Sequence, residues 1–326
     1  MKLGVYTALV ADRSLEEALR YLSMKGIHTV ELGSGGYSGT AHANPDELLG
    51  SEKKLAVMRD LLNKYETEIS ALNCSGNPVH PQPHIAQKAH ADFEKTVLLA
   101  GKLGVDRVIT FSGCPGDSPT SQLQNWVTCF WPPEVWGTIL DYQWNEVLIP
   151  YWEKAARFAA DHGVKVCIEL ISGFCVYNPE TLLRLRAAAG DNLGANLDLS
   201  HLFWQGADSV EVIRALGPAI FHFHAKDTRV EPSNTARNGV LDPKHFSEAL
   251  NRSWNHCTVG YGHDTLVWKN IIRALRSVGY DGVISIEHED PLMSVDEGLT
   301  KAISFLRGII IFEESEGMWW VNSPAQ

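Results

Sequence analysis

Four strand-like runs end in residues that could do chemistry. They read Val166-Cys167-Ile168-Glu169-Leu170, Ala195-Asn196-Leu197-Asp198-Leu199-Ser200-His201, Ile220-Phe221-His222-Phe223-His224-Ala225-Lys226-Asp227 and Val283-Ile284-Ser285-Ile286-Glu287-His288-Glu289. Alternate residues of a strand share a face, so Ile168, Leu197, Phe223 and Ile286 pack outward while the charged residues share the other face with Cys167, Asn196 and Ser285. In the third run, alternation sends His222, His224 and Lys226 one way and Phe221, Phe223 and Ala225 the other. Neighbouring strands lie about 4.8 Å apart, so Glu169, Asp198, His224 and Glu287 can converge on one point. Three carboxylates brought together repel and do not all stay ionised without a cation among them. A divalent metal resolves that conflict. Three oxygens and one nitrogen suit Mn²⁺ first, or Mg²⁺ or Co²⁺, better than a structural zinc. Taken singly, each residue has a plainer role: a carboxylate caps a helix or pairs with a cation, and His222 is a hydrogen-bonded core residue. It is the recurrence on four successive strands that carries the metal reading.

The elements that must hold these residues alternate along the whole chain. Strands are expected at Leu3–Val10, Thr29–Gly33, Glu68–Asn73, Arg107–Phe111, Val164–Ile171, Leu193–Leu199, Ile220–Asp227 and Gly282–Glu289. Helices of 3.6-residue period are expected at Ser14–Gly26, Pro45–Glu66, Ala86–Gly104, Asn145–Gly163, Asn178–Gly190, Ser209–Gly217, Thr265–Gly279 and Ser294–Phe312, with Ser14 and Glu17 forming a capping box. Alternation of this kind makes a parallel sheet, either open and doubly wound or closed. Eight units without a composition break favour a closed (β/α)₈ TIM barrel. One domain over residues 1–312 is expected, with a tail at 313–326. Long loops at 114–142 and 229–264 follow the fourth and seventh strands, so they belong to the catalytic face. The first carries Trp126, Phe130, Trp131, Trp136, Tyr142 and Trp144, which read as lid or interface packing before a sugar-stacking platform. The second carries Asn238, His245, His256, His263 and Asp264, suited to a bulky substrate or to an interface. The tail's Met318-Trp319-Trp320-Val321 is an apolar patch expected to dock on this or another subunit.

Composition narrows the partners. A balance of 28 Lys plus Arg against 39 Asp plus Glu gives a net charge of −11 with no basic run, which argues against a nucleic-acid surface. The six cysteines form no C-x-x-C pair and read as reduced, mostly buried thiols. With no apolar run long enough to span a bilayer and no signal-peptide pattern, a cytoplasmic location is expected.

Together these residues resemble the xylose isomerase-like TIM barrels, a family that includes ketose 3-epimerases, hydroxypyruvate isomerases, inositol-catabolism isomerases and dehydratases, and endonuclease IV. The resemblance covers nearly the whole chain and is weakest over the two long loops. It implies that Glu169, Asp198, His224 and Glu287 are the metal quartet and that His201, three residues after Asp198, binds substrate. His224-Ala-Lys226-Asp227 is similar to the family's H-x-K-D signature, and Gly279-Tyr-Asp-Gly282 with Ile286-Glu287-His288-Glu289-Asp290 to its ending. The implied activity is a metal-dependent sugar isomerase or epimerase working through an enediolate, with Glu169 and Glu287 moving the proton and Lys226 and His201 facing the oxyanion. Lys226 could instead serve only as a salt-bridge partner of Glu289 or Asp227. Elimination from the same enolate would make a dehydratase, a lyase on 3-keto-glycosides or a C-glycoside deglycosidase subunit. A barrel that has lost activity and serves in assembly is the non-enzyme alternative, and the intact quartet speaks against it. Small sugars or keto-sugars, unphosphorylated for want of an arginine cluster, are the expected substrates. A homo-oligomer is expected, or a hetero-oligomer with a second subunit. The acidic chain and a fourth strand ending Phe111-Ser-Gly-Cys-Pro-Gly without histidine set the endonuclease branch aside.

Overall fold

The computed structural model describes residues 1–129, 131–318 and 320, without the side chains of 134–136. Eight strands close into a parallel barrel: β1 (Lys2–Tyr6), β2 (Thr29–Gly33), β3 (Glu68–Asn73), β4 (Arg107–Phe111), β5 (Lys165–Glu169), β6 (Leu193–Asp198), β7 (Ile220–Ala225) and, after an inserted hairpin, β10 (Val283–Ile286). The hairpin pairs β8 (Asp227–Val230) antiparallel to β9 (Trp254–Cys257). Outward-facing residues such as Val166, Ile168, Leu197, Phe223 and Ile284 are buried in the main apolar core. This layer between sheet and helices is the main source of stabilisation, since burying one such side chain contributes roughly 1.5–3 kcal/mol.

Local chemistry explains most element ends. Ser14 caps the helix Leu15–Met24 with the expected capping box to Glu17. The helix Pro83–Leu103 ends on Gly104, whose φ of 72° is left-handed. Where one helix was expected over Pro45–Glu66, there are two, Pro45–Leu48 and Glu52–Lys64, because Gly50-Ser51 interrupts the run and the Ser51 side chain caps Lys54 N. The first strand stops at Tyr6, and Thr7–Val10 turns into a 3₁₀ segment.

Two irregularities change which way side chains face. Pairing of β2 with β3 passes from Val30↔Ile69 to Glu31↔Ala71, leaving Ser70 as a bulge, and pairing of β6 with β7 passes from Ala195↔Ile220 to Asn196↔His222, leaving Phe221. An extra residue re-aims its side chain. Phe221 therefore does not follow Phe223 outward. It packs on Ala71, Ile109 and Cys167, a small apolar plug separate from the main core.

Both long loops carry structure. A helix runs Pro133–Asp141 and continues as a π-turn, Tyr142–Leu148, into the helix Ile149–Asp161, so the helix expected from Asn145 begins earlier. Buried Gln143 fastens the loop by donating from Nε2 to the carbonyls of Gly116 and Asn125 (3.2 and 2.6 Å). Trp144 is buried, Trp126 meets Tyr177 edge-on, and Trp131 is exposed. Phe130, Trp319 and Val321, which the sequence marked as apolar contacts, lie outside the described residues, as does the Trp136 side chain. The second loop folds as the β8–β9 hairpin, pinned by Trp204 and Trp254 stacked at 4.8 Å. Asp227 holds its base. The carboxylate accepts from the amides of Thr228, Gly260, Gly262 and His263, from Trp268 Nε1 and from His263 Nδ1. Gly262 is needed there, since a Cβ would stand 2.3 Å from the Thr228 carbonyl oxygen.

Candidate active site

The polar interior of the barrel begins above the Ala71–Ile109–Cys167 plug. His222, the deeper histidine of β7, approaches Asn196 Oδ1 with Nδ1 (2.9 Å) and Ser70 Oγ with Nε2 (3.3 Å). Burial pushes its pKa down to about 3, against the pull of Glu31, so it stays neutral as a core hydrogen-bonding residue.

One turn of the alternation higher stands His224. Its Nε2 donates to Glu31 Oε2 (2.7 Å), while Nδ1 lies 3.1 Å from Glu287 Oε2 and 3.6 Å from Glu169 Oε2. Burial alone would hold His224 neutral, but Glu31 and Glu287 outweigh it and raise its pKa well above the usual value. Glu31 is fully buried. Burial would raise its pKa, yet His224 and the Asn73 hydrogen bond bring it below the ordinary carboxylate value. Its remaining contacts are donors as well: Asn73 Nδ2 at 2.8 Å and Ser285 Oγ at 3.1 Å.

Glu169, Asp198, His224 and Glu287 each offer one ligand atom, and the four atoms lie within 4.8 Å of one another. They do not share one register row. Asp198 is level with His224 and His224 with Ser285, whereas Glu169 pairs with Asn196 and Glu287 follows the end of β10. Strand tilt brings these different levels to one point on the barrel axis. Asp198 Oδ1 accepts from Ser200 N (2.9 Å), and Glu169 Oε2 accepts from Asn196 Nδ2 (2.9 Å). His201 Nε2 sits between Glu169 Oε1 (3.2 Å) and Asp198 Oδ2 (3.3 Å).

Lys226 is buried with its ammonium 2.9 Å from Glu287, 3.1 Å from Asp198 and 3.1 Å from Glu289. Burial would lower its pKa, but these carboxylates raise it well above the ordinary lysine value. Asp227 is not among its ion-pair partners within the described residues; Glu289 is. Glu287 shows the reciprocal effect. Burial would raise its pKa, while Lys226 and His224 hold it well below the carboxylate range.

The fit to a cation rests on two atoms. Asp198 Oδ2 and Glu287 Oε2 are buried and have neighbours only at ion-pair distance, Lys226 at 3.1 and 2.9 Å, His201 at 3.3 Å from the first and His224 at 3.1 Å from the second, without a well-directed hydrogen bond to either oxygen. Buried carboxylate oxygens left this way are costly unless something bonds them. Oxygen-rich donors with one imidazole nitrogen match a hard divalent ion, and Nδ1 is the His224 nitrogen turned toward them. A second group, Glu31, His222 and His224, is also compact, but its donor atoms are already engaged, Glu31 with His224 and the His222 nitrogens with Asn196 and Ser70.

The cluster opens to a cavity of about 290 Å³ at the C-terminal mouth, lined by Tyr6, Tyr37, Phe111, Glu169, Glu287 and Glu289 among others. A larger hollow of about 780 Å³ lies at the opposite end of the barrel, around Lys2, His28 and Glu68. It has none of the quartet. All six cysteines are free, with Cys129 exposed and the rest buried. No helix among the described residues is long and apolar enough to cross a membrane.

Residues 20–309 match the family model of the xylose isomerase-like TIM barrel. The chain belongs to this family. A relative 43% identical over 314 residues, covering 95% of this chain and 99% of its own length, is the uncharacterized protein YfiH of Bacillus subtilis. An inosose dehydratase of Clostridium botulinum is 29% identical over 151 residues, 46% of this chain and 48% of its own. Among solved barrels, the IolI protein with a bound zinc atom superposes with a TM-score of 0.67 at 19% identity, covering 95% of this chain and 98% of its own. A D-tagatose 3-epimerase-like protein gives 0.63 at 19% identity, with coverage of 95% and 98%. The named relatives and similar structures are mostly epimerases, isomerases or dehydratases, so an enzyme is the expectation for this barrel.

The sequence reading missed Glu31. Its signal was present: Thr29-Val30-Glu31-Leu32 repeats the pattern of Cys167-Ile168-Glu169-Leu170, a carboxylate between apolar residues of a buried strand.

Proposed function

We propose that this barrel is a divalent-metal-dependent enzyme that removes a proton beside the carbonyl of a small keto-sugar and returns it, isomerising or epimerising the substrate. The convergence of Glu169, Asp198, His224 and Glu287 beneath the cavity carries this reading. Mn²⁺ is the favoured ion, with Mg²⁺ and Co²⁺ as alternatives. When bound, it would polarise the carbonyl and an adjacent hydroxyl and stabilise negative charge on those oxygens.

The side chains divide the remaining work. Glu287 is held ionised by Lys226 and His224, the state a base requires. Glu169 lines the same cavity and offers the second carboxylate for proton return. Lys226 supplies a buried positive charge beside the reacting oxygens. His201 Nε2, 3.2 Å from Glu169, steadies that carboxylate and would be the histidine that meets the substrate.

A second reading has one observation in its favour, the similarity to an inosose dehydratase. The same carbanion would then expel a β-hydroxyl instead of being reprotonated, with His201 as the group that would protonate the leaving oxygen.

Deuterium uptake from D₂O tests both readings, since each begins with enolisation. Mn²⁺-loaded protein incubated with D-psicose, D-tagatose and inosose should label the carbon beside the carbonyl of at least one. Loss of water with labelling marks elimination. Glu169→Gln and Glu287→Gln should each slow exchange about 10²–10⁴-fold and weaken metal retention. Unchanged metal content in both variants would sink the quartet.

A further inference from the structure

His256 reaches this site from the hairpin and takes no part in the chemistry above. It lies on β9 opposite Thr228 of β8, buried, with its ring edge-on to His201 at 5.2 Å. Phe246 and Trp254 pack on the same ring at 6.3 and 5.5 Å between centroids.

Hydrogen bonding fixes the tautomer. Thr228 Oγ1 donates its single proton to the Ser200 carbonyl at 2.7 Å. Only lone pairs remain to meet His256 Nδ1 at 3.1 Å, so Nδ1 carries the hydrogen and Nε2 is bare. Burial first, and then the charge of Lys226, hold the ring well below its usual pKa, so it is neutral.

The bare Nε2 lies 3.9 Å from Glu289 Oε2. Two acceptors face each other, too far apart to be bonded. Glu289 is half exposed and lines the cavity, while His256 is its buried neighbour. The Lys226 ammonium, 3.1 Å from Glu289, adds a donor at the same place.

We propose that His256 Nε2 and the Glu289 carboxylate form a subsite for hydroxyl groups of a neutral polyhydroxylated substrate, at the part of the molecule away from its reacting carbonyl. This rests on the keto-sugar reading of the site. Two neighbouring hydroxyls satisfy the arrangement: one donates to His256, the other to Glu289, and Lys226 donates to an oxygen. A phosphate there would meet a carboxylate and a nitrogen without hydrogen, and the one cation at hand, Lys226, is already shared among three carboxylates. The subsite therefore selects unphosphorylated substrates.

Two measurements test it on the full-length, Mn²⁺-loaded protein. With ¹⁵N-labelled histidine, NMR at neutral pH should show His256 protonated on Nδ1, and protonation on Nε2 overturns the proposal. Calorimetric binding of D-psicose, D-fructose and inosose should weaken about 10-fold or more in His256→Phe and recover in large part in His256→Gln, whose carbonyl can accept, with Mn²⁺ affinity unchanged. Glu289→Gln, altered at a half-exposed position, should weaken binding as well, because its amide donates to Nε2 and fills the subsite. D-fructose 6-phosphate should bind less well than D-fructose. Sugar binding indifferent to His256 and Glu289, in a protein that exchanges deuterium, refutes the subsite and leaves the function standing. Binding of none of these sugars refutes the function and the subsite with it.

Discussion

Replacing Glu31 by glutamine should weaken metal binding without touching a ligand. The carboxylate accepts from His224 Nε2, Asn73 Nδ2 and Ser285 Oγ, at 2.7, 2.8 and 3.1 Å. Asn73 cannot turn over to suit an amide, because its own Oδ1 already accepts from Ser38 Oγ, Ser75 N and Ser75 Oγ. Glutamine must then point its N–H₂ at one of these donors. If it faces Asn73, two donors collide in a dry interior. If it faces His224, it favours a bare Nε2 and leaves the proton on Nδ1, the nitrogen the cation needs. A lost charge-assisted hydrogen bond is worth about 1.5–3 kcal/mol, and outer partners of ligating histidines typically carry about 10–100-fold in affinity. The two figures agree, so Glu31→Gln should lower Mn²⁺ affinity roughly 10–100-fold. Competition against a chelating dye measures it, circular dichroism checks that the barrel stays folded, and histidine NMR reads the His224 tautomer. A folded variant binding Mn²⁺ within about threefold of wild type, with Nε2 still protonated, would refute the orienting role.

Two further outcomes follow from buried polar groups. His222 has its pKa pushed down to about 3, so below about pH 6.5 the unfolded chain takes up a proton that the native barrel refuses. Its contribution is thus destabilising in acid, growing by about 1.4 kcal/mol per pH unit as pH falls from about 6.5 toward 3. Between pH 6.5 and 5, urea unfolding should show wild type losing about 2 kcal/mol more than His222→Gln; parallel pH profiles would contradict the assignment. Asp227→Asn should cost about 3 kcal/mol by setting an amide against several N–H donors, with faster hydrogen exchange at Gly260, Gly262 and His263, and unchanged exchange there would count against the carboxylate as the hairpin's anchor.

Much of this architecture was legible because parallel strands and amphipathic helices leave different periods in the chain, and glycine or a capping side chain marks many of their boundaries. The quartet was legible for a related reason: a charged residue between outward-packing apolar neighbours, as in Ile168-Glu169-Leu170, has only the barrel interior left to face. Alternation failed where the backbone broke period two. Nothing in Phe221-His222-Phe223 announces that Phe221 is an inserted residue, and Ser70 gives no sign that its bulge brings a hydroxyl to His222. The hairpin was hidden because its two strands have four residues each and pair across an insertion of more than twenty, a separation that local patterning does not span. Glu31 was hidden differently. Its pattern matches that of Glu169, but its work is done through His224, which only the closed barrel brings against it.

Charge balance ties the interior of the barrel to its mouth. Glu31, Glu169, Asp198, Glu287 and Glu289 face two cations, His224 and Lys226, and at an effective dielectric near 20 each close pair is worth about 4 kcal/mol before desolvation. The two cations are not equivalent. His224 is anchored on Nε2 by Glu31 and can serve a metal only through Nδ1. Lys226 shares three carboxylates, of which Asp198 and Glu287 are candidate ligands and Glu289 is not. Glu289 thereby keeps a partner for the ammonium when the other two turn their oxygens to a cation, and it holds that ammonium beside His256, where the substrate's hydroxyls are proposed to lie. On this reading Glu289 couples the filling of the metal site to the recognition of the sugar, and its replacement by glutamine should loosen both, the sugar more than the metal.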